Sequence, residues 1–251
     1  EHVAPTTPAK KKRSNIFWNI VGVVGELLIP FAIIVGLFSV WQLYWTTYEV
    51  AGQVSQTIAS YEEEHQPSKR ALGEVRTDDP PAFDREVGDG EVYGLVHVPT
   101  WDWMKIPLAE GTTSYVLDQG WAGHYDMTTQ PGGVGNFSVA GHRRTYGNNF
   151  RWIDRLTQGD KVVVEVDDRY LVYSMVSSEI IDATDPTQMR VVAPVIDDES
   201  WSEVPPERWM TMPPCHPEYG NWQRYIVHLK FESWTPKDTG VPAELVDEPT
   251  N

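Results

Sequence analysis

A nearly unbroken apolar run, Ile16 to Tyr44, constrains this chain more than any other feature. Its only polar or charged interruptions are Asn19, Glu26, Ser39 and Gln42. A bilayer core is crossed by about 20 apolar residues in a helix rising ~1.5 Å per residue. Leu27 to Trp45 meets that length. Glu26 is expected near an interface, because a carboxylate at the bilayer centre costs about 2.5–3.5 kcal/mol. Trp18, Trp41, Tyr44 and Trp45 mark the two ends, where amphipathic rings favour headgroup level. Lys10, Lys11, Lys12 and Arg13 precede the run and Glu62, Glu63 and Glu64 follow it. The asymmetry of basic residues puts the N-terminus in the cytoplasm and most of the chain outside the cell membrane. The run is about twice the ~7–15 apolar residues of a cleavable leader, and no small-x-small site follows it, so a retained single-pass anchor is expected.

Five segments follow from the composition. Residues 1–15 form a basic cytoplasmic tail and 16–45 the anchor. Residues 46–85 read as a helical stalk (Thr46 to Tyr61), then a charged, proline-bearing flexible linker ending near Asp78-Asp79-Pro80-Pro81. Residues 86–235 are the globular domain. Residues 236–251, rich in proline and acid and without apolar pattern, are expected to be disordered. Within the domain the patterning is mostly β. Strand signals cover Val92–Val98, Asn136–Ala140, Lys161–Val166, Arg169–Val176, a short Ser178–Ile181 and Arg224–Phe231; Asp167-Asp168 signals a hairpin between two of them. Short helices are expected over Gly111–Gly120 and Phe150–Thr157. Many short strands with frequent Gly and Pro indicate an all-β barrel or sandwich.

The formal charge of -16 argues against a nucleic-acid partner, since phosphate contacts need clustered Lys and Arg. Cys215 is the single cysteine. Outside the membrane it has no disulfide partner in its own chain, and a free thiol there is a liability unless it is used. Prolines flank it on both sides, and loops on rigid β-scaffolds carry chemistry. A thiol nucleophile needs a base or cation beside it. His97 and His228 lie in β-rich runs and read as satisfied core or surface histidines. His124 and His142 remain as base candidates, and His142 directly follows a strand. Arg224 opens the last strand; if that strand is extended, Arg224, Ile226 and His228 share one face and Tyr225, Val227 and Leu229 the other. No second pair at zinc spacing accompanies Cys215-His216, so no metal site is expected.

At these residues the chain resembles the sortases, cysteine transpeptidases of Gram-positive bacteria. The resemblance is carried by Gly132-Gly-Val-Gly-Asn-Phe-Ser-Val-Ala-Gly-His-Arg-Arg-Thr-Tyr-Gly147 and by Cys215 to Val227 with Arg224 inside it. Gly141-His-Arg-Arg-Thr-Tyr-Gly147 and the short Cys-to-Arg spacing are most similar to class E sortases of actinobacteria. The resemblance implies an eight-stranded β-barrel. It implies Cys215 as nucleophile, His142 as general acid/base and Arg224 as transition-state stabiliser, with His124, Tyr125 and Thr211 contacting substrate. It further implies cleavage of an L-P-x-T-G- or L-A-x-T-G-like sorting signal on a surface protein between Thr and Gly, through a thioacyl-enzyme. An amine of the peptidoglycan precursor lipid II then accepts the acyl group. That chemistry needs no cofactor. Two neighbouring readings are a pilin-polymerising sortase, whose Asp-Pro-aromatic lid is loosely echoed by Asp79-Pro80-Pro81-Ala82-Phe83, and a non-catalytic wall-binding β-domain. One departure stands out: Pro213-Pro214 precede Cys215 where the family has a Thr next to the Cys, removing a hydroxyl and backbone N–H groups beside the thiol.

Overall fold

The computed structural model describes residues 16–218 and 220–249; the basic tail at 1–15 lies outside them. Two compact units divide at Gln42 and Leu43. A single helix, α1 (Ile16–Glu64), runs through this boundary. In the first unit its large apolar side chains, Leu27, Phe31 and Leu37 among them, are exposed. A helix apolar on every side has no use for water on any face, and by length and composition α1 can cross a membrane. Pro30 lies inside it without ending it.

The second unit is a closed barrel. In chain order its elements are β1 (Val92–Val98), β2 (Met104–Glu110), a one-turn helix α2 (Ser114–Leu117), β3 (Ala122–His124), β4 (Gly135–Ala140), β5 (Lys161–Val166), β6 (Arg169–Asp182), β7 (Arg208–Met212), β8 (Cys215–His216) and β9 (Gln223–Pro236). Neighbours run β6-β5-β1-β2-β3-β4-β7-β9, and β9 pairs back onto β6. Eight strands thus close the ring, leaving β8 as a two-residue rider on β9. Closure removes the unpaired edges of an open sheet. The β5–β6 hairpin turns at Asp167-Asp168, with Val166 opposite Arg169, as the sequence indicates. Inside, Tyr93, Val96, Phe137, Leu171, Tyr173, Met210, Met212 and Leu229 are fully buried. Each such side chain stabilises the barrel by about 1.5–3 kcal/mol relative to exposure.

Several expectations change. Ser178–Ile181 is no separate strand: β6 continues through it past a bulge between Met175 and Ser177. Helix over Phe150–Thr157 shrinks to a 3-10 turn at Ile153–Arg155. The linker and the tail, expected to be flexible and disordered, both pack on the barrel. Leu72 bridges Val241, and Arg76 bridges Trp234. Val241 and Leu245 are buried beside Val163, Tyr170 and Val172 on the outside of β5 and β6. Two apolar residues among prolines and acids are too sparse to show a period, yet they suffice once the barrel supplies their partner surface.

A buried ion cluster fastens these pieces. His97 on β1 hydrogen-bonds Glu165 (2.8 Å) through Nε2 and Glu248 of the tail (2.7 Å) through Nδ1. Lys237 reaches Glu165 (2.6 Å), while Lys105 reaches Glu248 (3.3 Å) and Glu62 at the end of α1 (2.5 Å). Burial opposes charge on His97, but the hydrogen bonds to the two carboxylates outweigh it and lift its pKa to about 9. A proton held more tightly in the folded state stabilises fully below the unfolded pKa of ~6.5 and fades as pH rises through the folded value. The melting temperature is therefore expected to fall between pH 6.5 and pH 9, by the equivalent of a few kcal/mol. His97→Gln should lower it at pH 6.5 and flatten that fall; thermal unfolding of both proteins across the range checks this.

Candidate active site

Strand register brings the sequence candidates to one rim. β4 and β7 run parallel with Ser138 opposite Thr211. His142 lies four residues beyond Ser138, and Cys215 lies four beyond Thr211, so both leave the same end of the barrel. β9 runs antiparallel to β7, with Met212 opposite Val227, and the same register resumes at Cys215 opposite Arg224. Pro213-Pro214 interrupt the ladder without shifting it. Pro214 still accepts a hydrogen bond from the Tyr225 amide (3.1 Å). Directly opposite residues of an antiparallel pair share a face. Thr211, Pro213 and Cys215 therefore stand on one side with His228, Ile226 and Arg224, as the alternation in the last strand anticipates. Met210, Met212, Val227 and Leu229 face the core instead.

The outer face at this point is roofed by the long β6–β7 connection. Its 3-10 turn, Pro186–Val192, presses Val191 and Val192 onto Ile226 and Ile181. Beside this contact lies a cavity of about 180 Å³, lined by Tyr125, Ile181, Met189, Val191, Val192, Pro213 and Arg224 with Asp182 and Asp185 at its polar side. Arg224 donates through Nη1 to the carbonyls of Asn221 (2.8 Å) and Gln223 (2.9 Å), which fixes its guanidinium against its own loop. Cys215, opposite it, is partly buried and has a free thiol. Burial raises the Tyr125 hydroxyl above the usual tyrosine range; the Arg224 charge works against this shift and Cys215 adds to it. The three side chains thus share one electrostatic neighbourhood.

His142 is held by a carboxylate that the sequence reading did not single out. Its ring N–H at Nε2 donates to Asp118 Oδ1 at 2.8 Å. Asp118 follows α2 and precedes β3, whose Gly123 lies opposite Ala140 at the end of β4. No local signal marks Asp118, because an aspartate after a one-turn helix is common and His142 lies 24 residues further on. Tyr146 lies over the His142 ring at 5.4 Å between centroids, and the Phe150 amide donates to the His142 carbonyl (3.0 Å). Gly141 is needed for packing, because a Cβ there would come 2.4 Å from the Phe150 ring. In the loop that follows, Thr145, Tyr146 and Asn148 all have positive φ. Non-glycine residues in that region cost of order 1–3 kcal/mol each and concentrate at functional sites. The outer end of α1 buttresses the same loops: a Cβ on Gly120 would strike Val54 at 2.8 Å and the Tyr146 carbonyl at 2.9 Å.

Two of the three expected substrate contacts lie away from the cavity. His124 is fully buried, with Nδ1 on the Glu110 carboxylate (2.9 Å) and Nε2 near the Thr129 carbonyl (3.0 Å) and the Thr128 hydroxyl (3.1 Å). Thr128 also closes the turn that presents Tyr125, donating to its carbonyl (2.8 Å). Thr211 is fully buried as well, donating to Asn136 (2.8 Å) and lying 2.9 Å from His228 Nδ1. Burial pulls His228 below the usual histidine range. Tyr125 alone of the three lines the cavity.

Comparison with known proteins identifies the family of the barrel. Residues 96–232 match the sortase domain. Sortase SrtE1 of Streptomyces coelicolor is 35% identical over 229 residues, 89% of this chain, and the chain spans 60% of that relative's length. Sortase SrtE2 of the same organism is 30% identical over 87% of this chain and 84% of its own length. Among solved structures, the SrtA sortase from Actinomyces oris superposes with a TM-score of 0.64 at 41% identity, covering 71% of this chain and all of that one. Sortase E1 from Streptomyces coelicolor, solved with a tripeptide in the active site, gives a TM-score of 0.55 at 36% identity, covering 64% of this chain and 99% of that one. With this barrel and these matches, the chain belongs to the sortase family.

Proposed function

We propose that this sortase is a membrane-anchored cysteine transpeptidase whose reacting groups are Cys215, His142 and Arg224. The observation that carries the reading is the register: one antiparallel pair sets Cys215 directly opposite Arg224, and Arg224 lines the Tyr125 cavity. In the proposed reaction the Cys215 thiol gives its proton to His142, and the sulfur attacks the Thr carbonyl carbon of a sorting signal resembling L-P-x-T-G or L-A-x-T-G. Negative charge moves onto the carbonyl oxygen, where a fixed guanidinium stabilises it. The tetrahedral intermediate collapses, the Thr–Gly C–N bond breaks, and His142 delivers a proton to the departing amine. An incoming amine, that of lipid II in our reading, loses a proton to His142 and attacks the thioester. The new amide forms as the thioester C–S bond breaks, and His142 returns its proton to the Cys215 sulfur. The apolar side of the cavity, from Ile181 to Val192, suits the Leu-Pro or Leu-Ala side chains of such a signal. α1 serves as the single-pass anchor, with the barrel outside the cell membrane.

Asp118 takes part as a positioning residue. A carboxylate on one ring nitrogen fixes the imidazole plane and leaves the other nitrogen to exchange protons, the logic of a base oriented by a third group. His124 and Thr211 act one step further out, the first by holding the Tyr125 turn and the second by holding β7 against β4 and β9.

Cys215→Ala, His142→Ala and Arg224→Ala should each abolish turnover of an L-A-x-T-G or L-P-x-T-G peptide with an amine acceptor. Mass spectrometry should find the acyl adduct on Cys215 in wild type. Full turnover by the Cys215 variant would remove the nucleophile assignment and favour the non-catalytic reading. Asp118→Ala should lower kcat by about 10- to 100-fold with peptide KM near wild type, and Asp118→Asn should recover part of the loss. An equal rise in KM would mean that Asp118 shapes the substrate groove instead.

A further inference from the structure

We propose that a second cavity, between the outer end of α1 and the loop that follows His142, holds the phosphate group of a lipid at the membrane face. The cavity measures about 480 Å³ and is lined by Tyr44, Thr47, Tyr48 and Ala51 on the helix and by Arg144, Thr145, Asn148 and Arg151 on the loop. That volume lies within the ~300–1,000 Å³ of ordinary ligand sites. Its composition is unusual for this protein. In a chain of formal charge -16, both charged residues that line it are arginines. Guanidinium forks match phosphate oxygens in pairs, and hydroxyl and amide groups such as those of Thr47, Thr145 and Asn148 complete a phosphate shell. Tyr44 and Tyr48 are exposed and stand where the apolar run of the sequence gives way to polar residues, which is where a headgroup would lie on the anchoring reading. The inference rests on that reading.

The site also touches the chemistry. Arg144 and Arg151 share Glu218, at 3.1 and 3.6 Å. Glu218 lies three residues after Cys215, and Arg144 lies two after His142. A phosphate arriving at the arginines competes with Glu218 for them. Lipid bound here therefore acts on the segment between Cys215 and Arg224 as well as on the His142 loop. An acceptor amine carried on such a lipid would be delivered beside both.

The test uses the full chain in phosphatidylcholine nanodiscs doped with a photoreactive phosphatidic acid. Labelling should concentrate on residues 44–51 and 144–151, and Arg151→Gln should reduce it there about tenfold, while Arg151→Lys keeps most of it. Tyr48→Ala gives a second variant that leaves the loop untouched and should also lower the yield. Displacement by unlabelled phosphatidic acid alone assigns the site to a bilayer headgroup, and displacement by farnesyl diphosphate as well assigns it to any lipid-borne phosphate; either supports the proposal. Equal displacement by inorganic diphosphate overturns it, because the lipid would then be irrelevant. Labelling spread evenly along the interface, or unchanged in both Arg151→Gln and Tyr48→Ala, also overturns it. Cys215→Ala should label as wild type, so loss of catalysis and loss of this site are read separately. A chain washed from vesicles by carbonate would overturn the anchoring reading and this proposal with it.

Discussion

The pairing of β6 with β9 governs everything else in the barrel. It runs from Arg169 opposite Pro236 to Asp182 opposite Gln223, with bulges after Val172 and Met175 that let two long strands coil around the core. At one end it closes the ring. At the other it overshoots the barrel wall and carries Ile181 beside Arg224. Cys215 then lies on the far side of Arg224. A single row across three strands, Ile181–Arg224–Cys215, thereby joins the apolar wall of the cavity to the cation and the thiol. A one-residue slip of β9 would turn Arg224 into the core and Tyr225 outward, since side chains alternate with period 2. Val227 and Leu229, buried in the core, oppose that slip with their whole transfer free energy.

The legible part of this design was its local part. β1, β4, β5 and the first half of β6 announce themselves by runs of branched and aromatic residues, and the hairpin by its acidic pair. β2, β3 and β7 do not. β2 contains Pro107, β3 has only three residues, and β7 alternates Met with Arg, Trp and Thr, so their identity as strands comes from neighbours already in place. The candidate site divides in the same way. Cys215, His142 and Arg224 stand out because their residue types and flanking motifs are specific. Asp118 does not, since an aspartate after a short helix is common and its partner is 24 residues away. The resemblance implies substrate contact for His124 and Thr211. Their burial beside Glu110, Asn136 and His228 is a tertiary fact that no local pattern reports.

The same distinction explains the linker and tail. Charge and proline in 62–85 and 236–249 argue against an independent core, and neither segment has one. Each is folded by the other and by the barrel. Gly240 would meet the Ala71 carbonyl at 2.2 Å if it carried a Cβ, so the two segments cross at backbone contact. His97, Glu165, Glu248, Lys105, Lys237 and Glu62 then satisfy one another in a place where any one left alone would be costly. The cluster ties the end of α1 to the barrel at one site, while Val50 and Val54 pack on Gly120 and Gly147 near Asp118 and Tyr146 at another. The helix that reads as an anchor is thus also a brace for the loops that hold His142.

The proline pair before Cys215 can be understood on the same terms. Pro213 and Pro214 offer no backbone N–H, so the strand that delivers the thiol has no donors at the two preceding positions. Register does not suffer: Met212 opposite Val227 and Cys215 opposite Arg224 belong to one unbroken count, and the Tyr225 amide keeps its bond to Pro214. On the proposed reaction, what changes is the supply of positive charge to the oxyanion formed at Cys215. With backbone amides absent on that side, the demand falls on the guanidinium across the ladder. Two carbonyls hold that guanidinium at Nη1, so its position is set before substrate arrives. Pro213 also contributes a rigid apolar wall to the cavity at no cost in side-chain entropy. The prolines therefore remove donors while preserving geometry, and on the proposed reaction they make Arg224 the group whose loss the thiol can least tolerate.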